Sequence, residues 1–313
     1  MSSPALNAPV RHVHPSNHRL MHLLMFLVIL CWSSNIIAGK EALRGFRPMA
    51  LAQLRVLGAA SIFATLFLFS GRLRRLQLSR RNWRFILALA ATGIALNQLT
   101  FIGGMARTTV AHTGLIVALG PVMVLAIAVV IGLEVLTAWK MAGMLVAFIG
   151  VGILTLDKAG KGTGSHWGGD LIVLASVAVF AIYTVLMKEV AREFDGLTLN
   201  TLTFGVGAIM MLPFCLHAVM TTQWTAIPWE AWSGLGFIIV FGSVVSYLLF
   251  AYVLTELAAS RAAAFNYLQP VIASALGIWI LSEQLTSKVL VGGSLILLGV
   301  YLTERERGEE TAH

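Results

Sequence analysis

Asn266 and Gln269 stand three residues apart in an apolar run, just before Pro270. On a helix that spacing puts both side chains on one face. A carboxamide offers donors and acceptors together, which suits a zwitterion. A proline within a helix also frees a backbone carbonyl that can line a cavity. Trp32 and Asn35 share a face in the same way, as do Asn97, Thr100 and Phe101. Ser176, Phe180, Tyr183 and Met187 form one polar and aromatic stripe, and Ser243, Ser246, Tyr247 and Phe250 form another. Arg55 can grip a carboxylate bidentately, and His112 can carry a proton. These residue types suit reversible binding of a small polar molecule. The apolar runs hold no buried nucleophile–base pair and no metal triad, so no catalysis, cofactor or metal is expected.

Each candidate has a plainer reading. Ser, Thr and Asn also join helices by interhelical hydrogen bonds. Polar and aromatic stripes also pack. Arg55 can snorkel to an interface and cap a neighbouring helix, and this is the preferred reading. A lone His at a helix end ordinarily makes a local hydrogen bond. An ion at the centre of a bilayer costs about 2.5–3.5 kcal/mol on insertion scales, so intramembrane polar groups remain functional candidates.

The elements that must position these residues follow from composition. Of 313 residues, 58% are hydrophobic and 12% charged, and the mean hydropathy is +0.84. The apolar residues fall in runs of about 18–25, each long enough to cross a hydrocarbon core. Ten spans are expected, at 20–39, 48–70, 83–104, 109–131, 138–156, 169–188, 197–219, 233–254, 261–281 and 287–303. The fold class is thus an all-α polytopic membrane protein, and the first run reads as a span, not a cleaved leader. Residues 1–19 and 304–313 read as polar tails, and the histidines at 12, 14, 18 and 22 fit no standard metal spacing. Cys31 and Cys215 lie within apolar runs and read as buried thiols.

The net charge of +8 does not indicate nucleic-acid binding, because the basic residues sit in loops between spans. Arg72, Arg74, Arg75, Arg80, Arg81 and Arg84 crowd the loop between spans two and three. That asymmetry puts both termini on the cytoplasmic side of an inner membrane. Trp224, Trp229 and Trp232 fit an interfacial belt on the other side. Lys40-Glu41 and Lys188-Glu189 read as interfacial anchors. The Gly-rich stretch from Gly160 to Gly169 lacks a Walker pattern, so an ATP-driven pump is not expected.

The chain also repeats itself. Pro121 to Leu156 aligns without a gap with the segment from Pro270, 149 positions on. Pro121, Glu134, Leu136, Thr137, Gly143 and Gly150 recur as Pro270, Glu283, Leu285, Thr286, Gly292 and Gly299. Two five-helix repeats are expected at 20–156 and 169–303, with a linker at 157–168. An odd number of spans per copy makes the copies inverted, the architecture of many secondary transporters. Pro121 and Pro270 are expected to kink helices. Glu134 and Glu283 are expected to satisfy free N–H groups at the start of the helix that follows each. The repeated glycines permit close helix contacts, within one chain or between chains.

These features resemble the EamA family of the drug/metabolite transporter superfamily. The resemblance rests on WSSNIIAGKEAL in the first span, ALAQLRVLGAA with Arg55 in the second, Leu119-Gly120-Pro121, and the repeated Glu-x-Leu-Thr. It implies a cytoplasmic-membrane carrier that exports amino acids or related metabolites through a cavity between the halves. The candidate substrate-binding residues are Trp32, Asn35, Asn97, Phe101, Tyr183, Ser246, Tyr247, Asn266 and Gln269. No carboxylate lies well inside a span, so organic-cation antiport through a membrane acid is not expected. An organophosphate or nucleotide-sugar exchanger would need paired basic residues, and only Arg55 is available. A membrane scaffold would leave the inverted repeat without a purpose.

Overall fold

A lipid-embedded backbone must satisfy its own N–H and C=O groups, and a helix does so within one segment. A computed structural model of the chain describes residues 18–75, 78–108, 113, 116–156, 167–191, 193–269, 271–272 and 287–305. No strand occurs among the described residues. The helices are α1 (His18–Ala42), α2 (Pro48–Phe69), α3 (Arg80–Met105), α4 (Gly120–Val130) and α5 (Ala138–Leu156). They continue as α6 (Trp167–Val190), α7 (Gly196–Met220), α8 (Trp229–Glu256), α9 (Ala259–Ala264) and α10 (Ser287–Arg305).

Among the described residues, α1, α2, α3, α6, α7 and α8 are long and apolar enough to cross a membrane. Gly120–Val130, Ala138–Ile153 and Leu290–Thr303 are shorter apolar helices. The ninth expected span is represented by α9 and a 3-10 turn at Phe265–Tyr267. The chain is thus an all-helical multi-pass membrane protein; the six long helices match expected spans one, two, three, six, seven and eight, and α5 and α10 cover the whole of spans five and ten.

Local chemistry sets the helix ends. Pro48 opens α2 in its first turn, where its missing N–H costs nothing. Asp195 caps α7 by accepting from the N–H groups of Leu197 and Thr198, at 3.1 and 3.0 Å. Gly132 adopts φ +77° just after α4, a conformation that other residues avoid. Lys40 donates to Met105 O at the end of α3, at 3.0 Å. Lys188 donates to Leu254 O and Leu257 O at the end of α8, at 2.8 and 2.7 Å. Both lysines therefore cap helix C-termini, where a cation also meets the negative end of the dipole.

Two helices depart from α geometry at matching places. Ala90–Leu96 in α3 and Val240–Val245 in α8 are π-helical. The repeat offset of 149 superimposes these segments. Such insertions concentrate at functional sites.

Packing joins equivalent helices of the two halves. A β-carbon built on Gly143 would lie 2.7 Å from Gly299 O, and one on Gly150 would lie 2.7 Å from Gly292 O. The repeated glycines therefore seat α5 against α10 within one chain, in antiparallel order. The pair α2 and α7 is also antiparallel. Gln53 Nε2 donates to Ala208 O at 3.1 Å, and Thr201 Oγ1 donates to Phe63 O at 3.3 Å.

Two expectations are corrected here. Pro121 lies in the first turn of α4, after a break at residues 118–119, so it starts a helix and does not kink one. Glu134 does not serve the helix that follows it. Its carboxylate accepts from the Ser260 N–H at 3.0 Å and from the Ser260 hydroxyl, at the start of α9. It also pairs with Lys140 at 3.3 Å, with both side chains buried. The N–H of Lys140, within α5, points instead to Thr137 Oγ1 at 3.4 Å. Pro270 and Glu283 lie outside the described residues.

Candidate cavity between the two halves

A cavity of about 110 Å³ lies among α1, α2, α3, α4, α6, α8 and the turn after α9. By the same measure a water takes about 10–15 Å³, so the space suits a small organic molecule. Both halves supply its wall.

Trp32 and Asn35 reach it from α1, one helical turn apart. The Trp32 indole N–H donates to Ser246 Oγ at 3.0 Å, and Ser246 Oγ donates on to Gly242 O at 2.9 Å. That chain fixes the indole ring. Its face meets Phe180 and Tyr247 edge-on, at 5.7 and 6.2 Å between centroids, and Phe250 at 5.2 Å. Asn97 and Phe101 reach the cavity from α3, and the Asn97 amide donates to Ser176 O at 3.1 Å. Asn266 and Gln269 close the wall from the turn after α9, where Gln269 Nε2 donates to Asn266 Oδ1 at 3.0 Å. This pairing leaves the Gln269 carbonyl oxygen and the Asn266 amide nitrogen for other partners.

Arg55 sits in the same wall, only 4% exposed. Its Nε donates to Ser243 Oγ and its Nη2 to Gly242 O, each at 2.9 Å. Both acceptors belong to the π-helical segment of α8. Among the described residues no carboxylate pairs with Arg55. The snorkelling reading is therefore corrected, because the guanidinium is drawn into the bundle, held by neutral acceptors and left with its charge uncompensated. Burying such a charge costs several kcal/mol unless an anion joins it.

Two candidates do not reach the cavity. Tyr183 is fully buried one layer behind, its ring 5.4 Å from Phe180 and 6.1 Å from Tyr247. Ser246 is the buttress of Trp32. Thr100 hydrogen-bonds back to its own helix, at Leu96 O and Asn97 O. His112 lies outside the described residues. Conversely, Gln98, Thr184, Val117, Gly120 and Val124 line the cavity without having been singled out. Gln98 was hidden by geometry. On a regular α-helix it points about 100° away from Asn97. The adjacent amides of Asn97-Gln98 were the available signal.

The comparisons with known proteins agree with this architecture. The model of the EamA-like transporter family matches twice, at residues 19–156 and 167–305. An uncharacterised transporter of Archaeoglobus fulgidus is 25% identical over 285 residues, covering 91% of this chain and 99% of the relative. The uncharacterised transporter YyaM of Bacillus subtilis is 26% identical, covering 90% and 93%. A probable terminal-alkyne amino-acid exporter of Streptantibioticus cattleyicolor is 25% identical, covering 90% and 92%. A crystal structure covering 93% of this chain and 99% of its own superimposes with a TM-score of 0.75 at 16% identity, which shows a shared fold. A family model that matches both halves, together with relatives of the same length named as transporters, makes the chain a transporter and not an enzyme: it belongs to the EamA-like transporter family of the drug/metabolite transporter superfamily.

Proposed function

We propose that this protein exports amino acids or related small metabolites across the cytoplasmic membrane by alternating access between inverted repeats. The observation that carries this reading is Arg55, a buried cation with no carboxylate partner among the described residues, in the wall of a cavity built by both halves. A guanidinium so placed is completed by a ligand carboxylate. The antiparallel pairing of α2 with α7 and of α5 with α10 supports the inversion, since these are equivalent helices of the two repeats. The name of the Streptantibioticus relative supports amino acids as the leading class. Among the described cavity-lining residues Arg55 is the only Lys or Arg, which disfavours a phosphate-rich cargo. The basic loop between α2 and α3 supports cytoplasmic termini.

The test is reconstitution. Purified protein in liposomes loaded with unlabelled amino acids should accumulate labelled neutral or aromatic amino acids by counterflow. Arg55→Gln should lower that flux at least tenfold. A panel of labelled amino acids that shows no protein-dependent flux would overturn the reading.

A further inference from the structure

Gly93 and Gly242 are 149 positions apart and occupy the two π-helical segments. Each receives a side chain from the first helix of the other half. A β-carbon on Gly93 would overlap the Tyr183 ring from α6, and one on Gly242 would overlap Asn35 Oδ1 from α1. The same joint thus holds an aromatic ring in one half and a carboxamide in the other. Fold symmetry is kept while the chemistry divides into an aromatic wall and a polar one.

The polar wall has a definite pattern. The β-carbon position of Gly242 also lies 3.4 Å from Arg55 Nη2. The Asn35 oxygen and the guanidinium therefore stand side by side over one point of the α8 backbone. Arg55 is fixed there by Ser243 and Gly242, so its remaining donors have a set direction. Among the described residues Asn35 Oδ1 has no hydrogen-bond partner, although Asn35 is only 7% exposed. Gln98 Oε1 and Ser176 Oγ, in the same wall, are also buried without partners. A buried acceptor left unpaired costs about 1–3 kcal/mol. A fixed cation next to unsatisfied acceptors calls for one ligand that brings an anion and N–H donors close together.

Taking the cavity as the transport site, we infer that this wall reads a zwitterionic head group. The carboxylate meets Arg55. The ammonium meets Asn35 Oδ1, with Gln98 Oε1 and Ser176 Oγ as its further acceptors. The rest of the molecule lies against Trp32 and Phe180. Asn35 is then a specificity-determining residue, and Gly242 is a positioning residue that lets it approach.

Competition in liposomes tests this, with labelled L-phenylalanine as probe. 3-Phenylpropionate lacks the ammonium and 2-phenylethylamine lacks the carboxylate. In the wild type each should compete at least tenfold more weakly than unlabelled phenylalanine. Asn35→Leu should erase the discrimination against 3-phenylpropionate and keep that against 2-phenylethylamine. Asn35→Asp puts a carboxylate beside Arg55, which pairs the guanidinium within the protein, so the discrimination against 2-phenylethylamine should be lost. Thermal unfolding in detergent checks that the variants fold. If Asn35→Leu does not fold, Asn35→Ser takes its place, with the same expected loss of discrimination. Phenylalanine flux with both analogues competing as well as the parent, or discrimination unchanged in the Asn35 variants, would overturn the head-group assignment and leave the transport reading intact. No protein-dependent flux of phenylalanine or of any other labelled amino acid would overturn both; where a different amino acid is carried, its own deaminated and decarboxylated analogues replace the two phenyl compounds.

Discussion

At the scale of single residues, the cavity wall divides into an amide and guanidinium side and an aromatic side. Trp32, Asn35, Asn97, Phe101, Tyr247, Asn266 and Gln269 converge on one cavity from separated parts of the chain. Burying a carboxamide in hydrocarbon is costly, so Asn35, Asn97, Asn266 and Gln269 gather where polar partners or space exist. Arg55 was misjudged because sequence gives its depth along a helix and not which side it faces. Gln98 was missed because it points about 100° away from Asn97 on the same α-helical stretch, and the cavity wall takes in both. The π-helical turns lead to a residue-scale prediction. Gly242→Ala places a methyl group on Asn35 Oδ1 and should cut transport at least tenfold. Gly236→Ala, six residues earlier on α8 with open space around it, should leave transport unchanged and stability equal or up to about 1 kcal/mol higher. Counterflow and thermal unfolding of the two variants check this pair.

At the scale of elements, helix positions were legible because twenty apolar residues in a row have few other options. The joints between elements were harder to read. The partner of Glu134 is Ser260, 126 positions away, and a local capping rule has no access to that distance. This contact ties the α4–α5 turn to the start of α9, and the segments it joins carry Gly120, Val124, Asn266 and Gln269 to the cavity. Removing one partner from a buried ion pair typically costs about 3–5 kcal/mol. Glu134→Ala should therefore lower stability by roughly that amount in denaturant titrations. Replacing Glu134 and Lys140 together with methionine should recover much of it, because two buried charges are then removed together. A Glu134→Ala variant as stable as the wild type would show that the clamp contributes little. The α5–α10 seam makes a second demand. Gly150→Leu meets backbone on α10, since the β-carbon position already lies 2.7 Å from Gly292 O. That variant should be strongly destabilised, whereas Gly152→Leu, with nothing within 4 Å of its β-carbon position, should fold normally by the same thermal scan.

At the scale of the whole molecule, the repeat is the feature that sequence and structure share most fully. The 149-residue offset that aligned Pro121 with Pro270 also superimposes the π-helical segments, and the glycines it equates meet crosswise in the seam, Gly143 on Gly299 and Gly150 on Gly292. The antiparallel equivalent helices are the feature on which the proposed alternating access rests, one site approached in turn from opposite faces. The divergence of the halves lies at the cavity, where Asn35 and Tyr183 occupy matching joints. Side accessibility of the cavity tests this account most directly. Val117 lines the cavity and is only half-buried. In a Cys31→Ser, Cys215→Ser background, Val117→Cys can be labelled with a membrane-impermeant thiol reagent applied to either face of oriented vesicles. The account predicts labelling from both faces, with a transported amino acid shifting the ratio between them. Labelling from one face alone, unchanged by any amino acid, would contradict it.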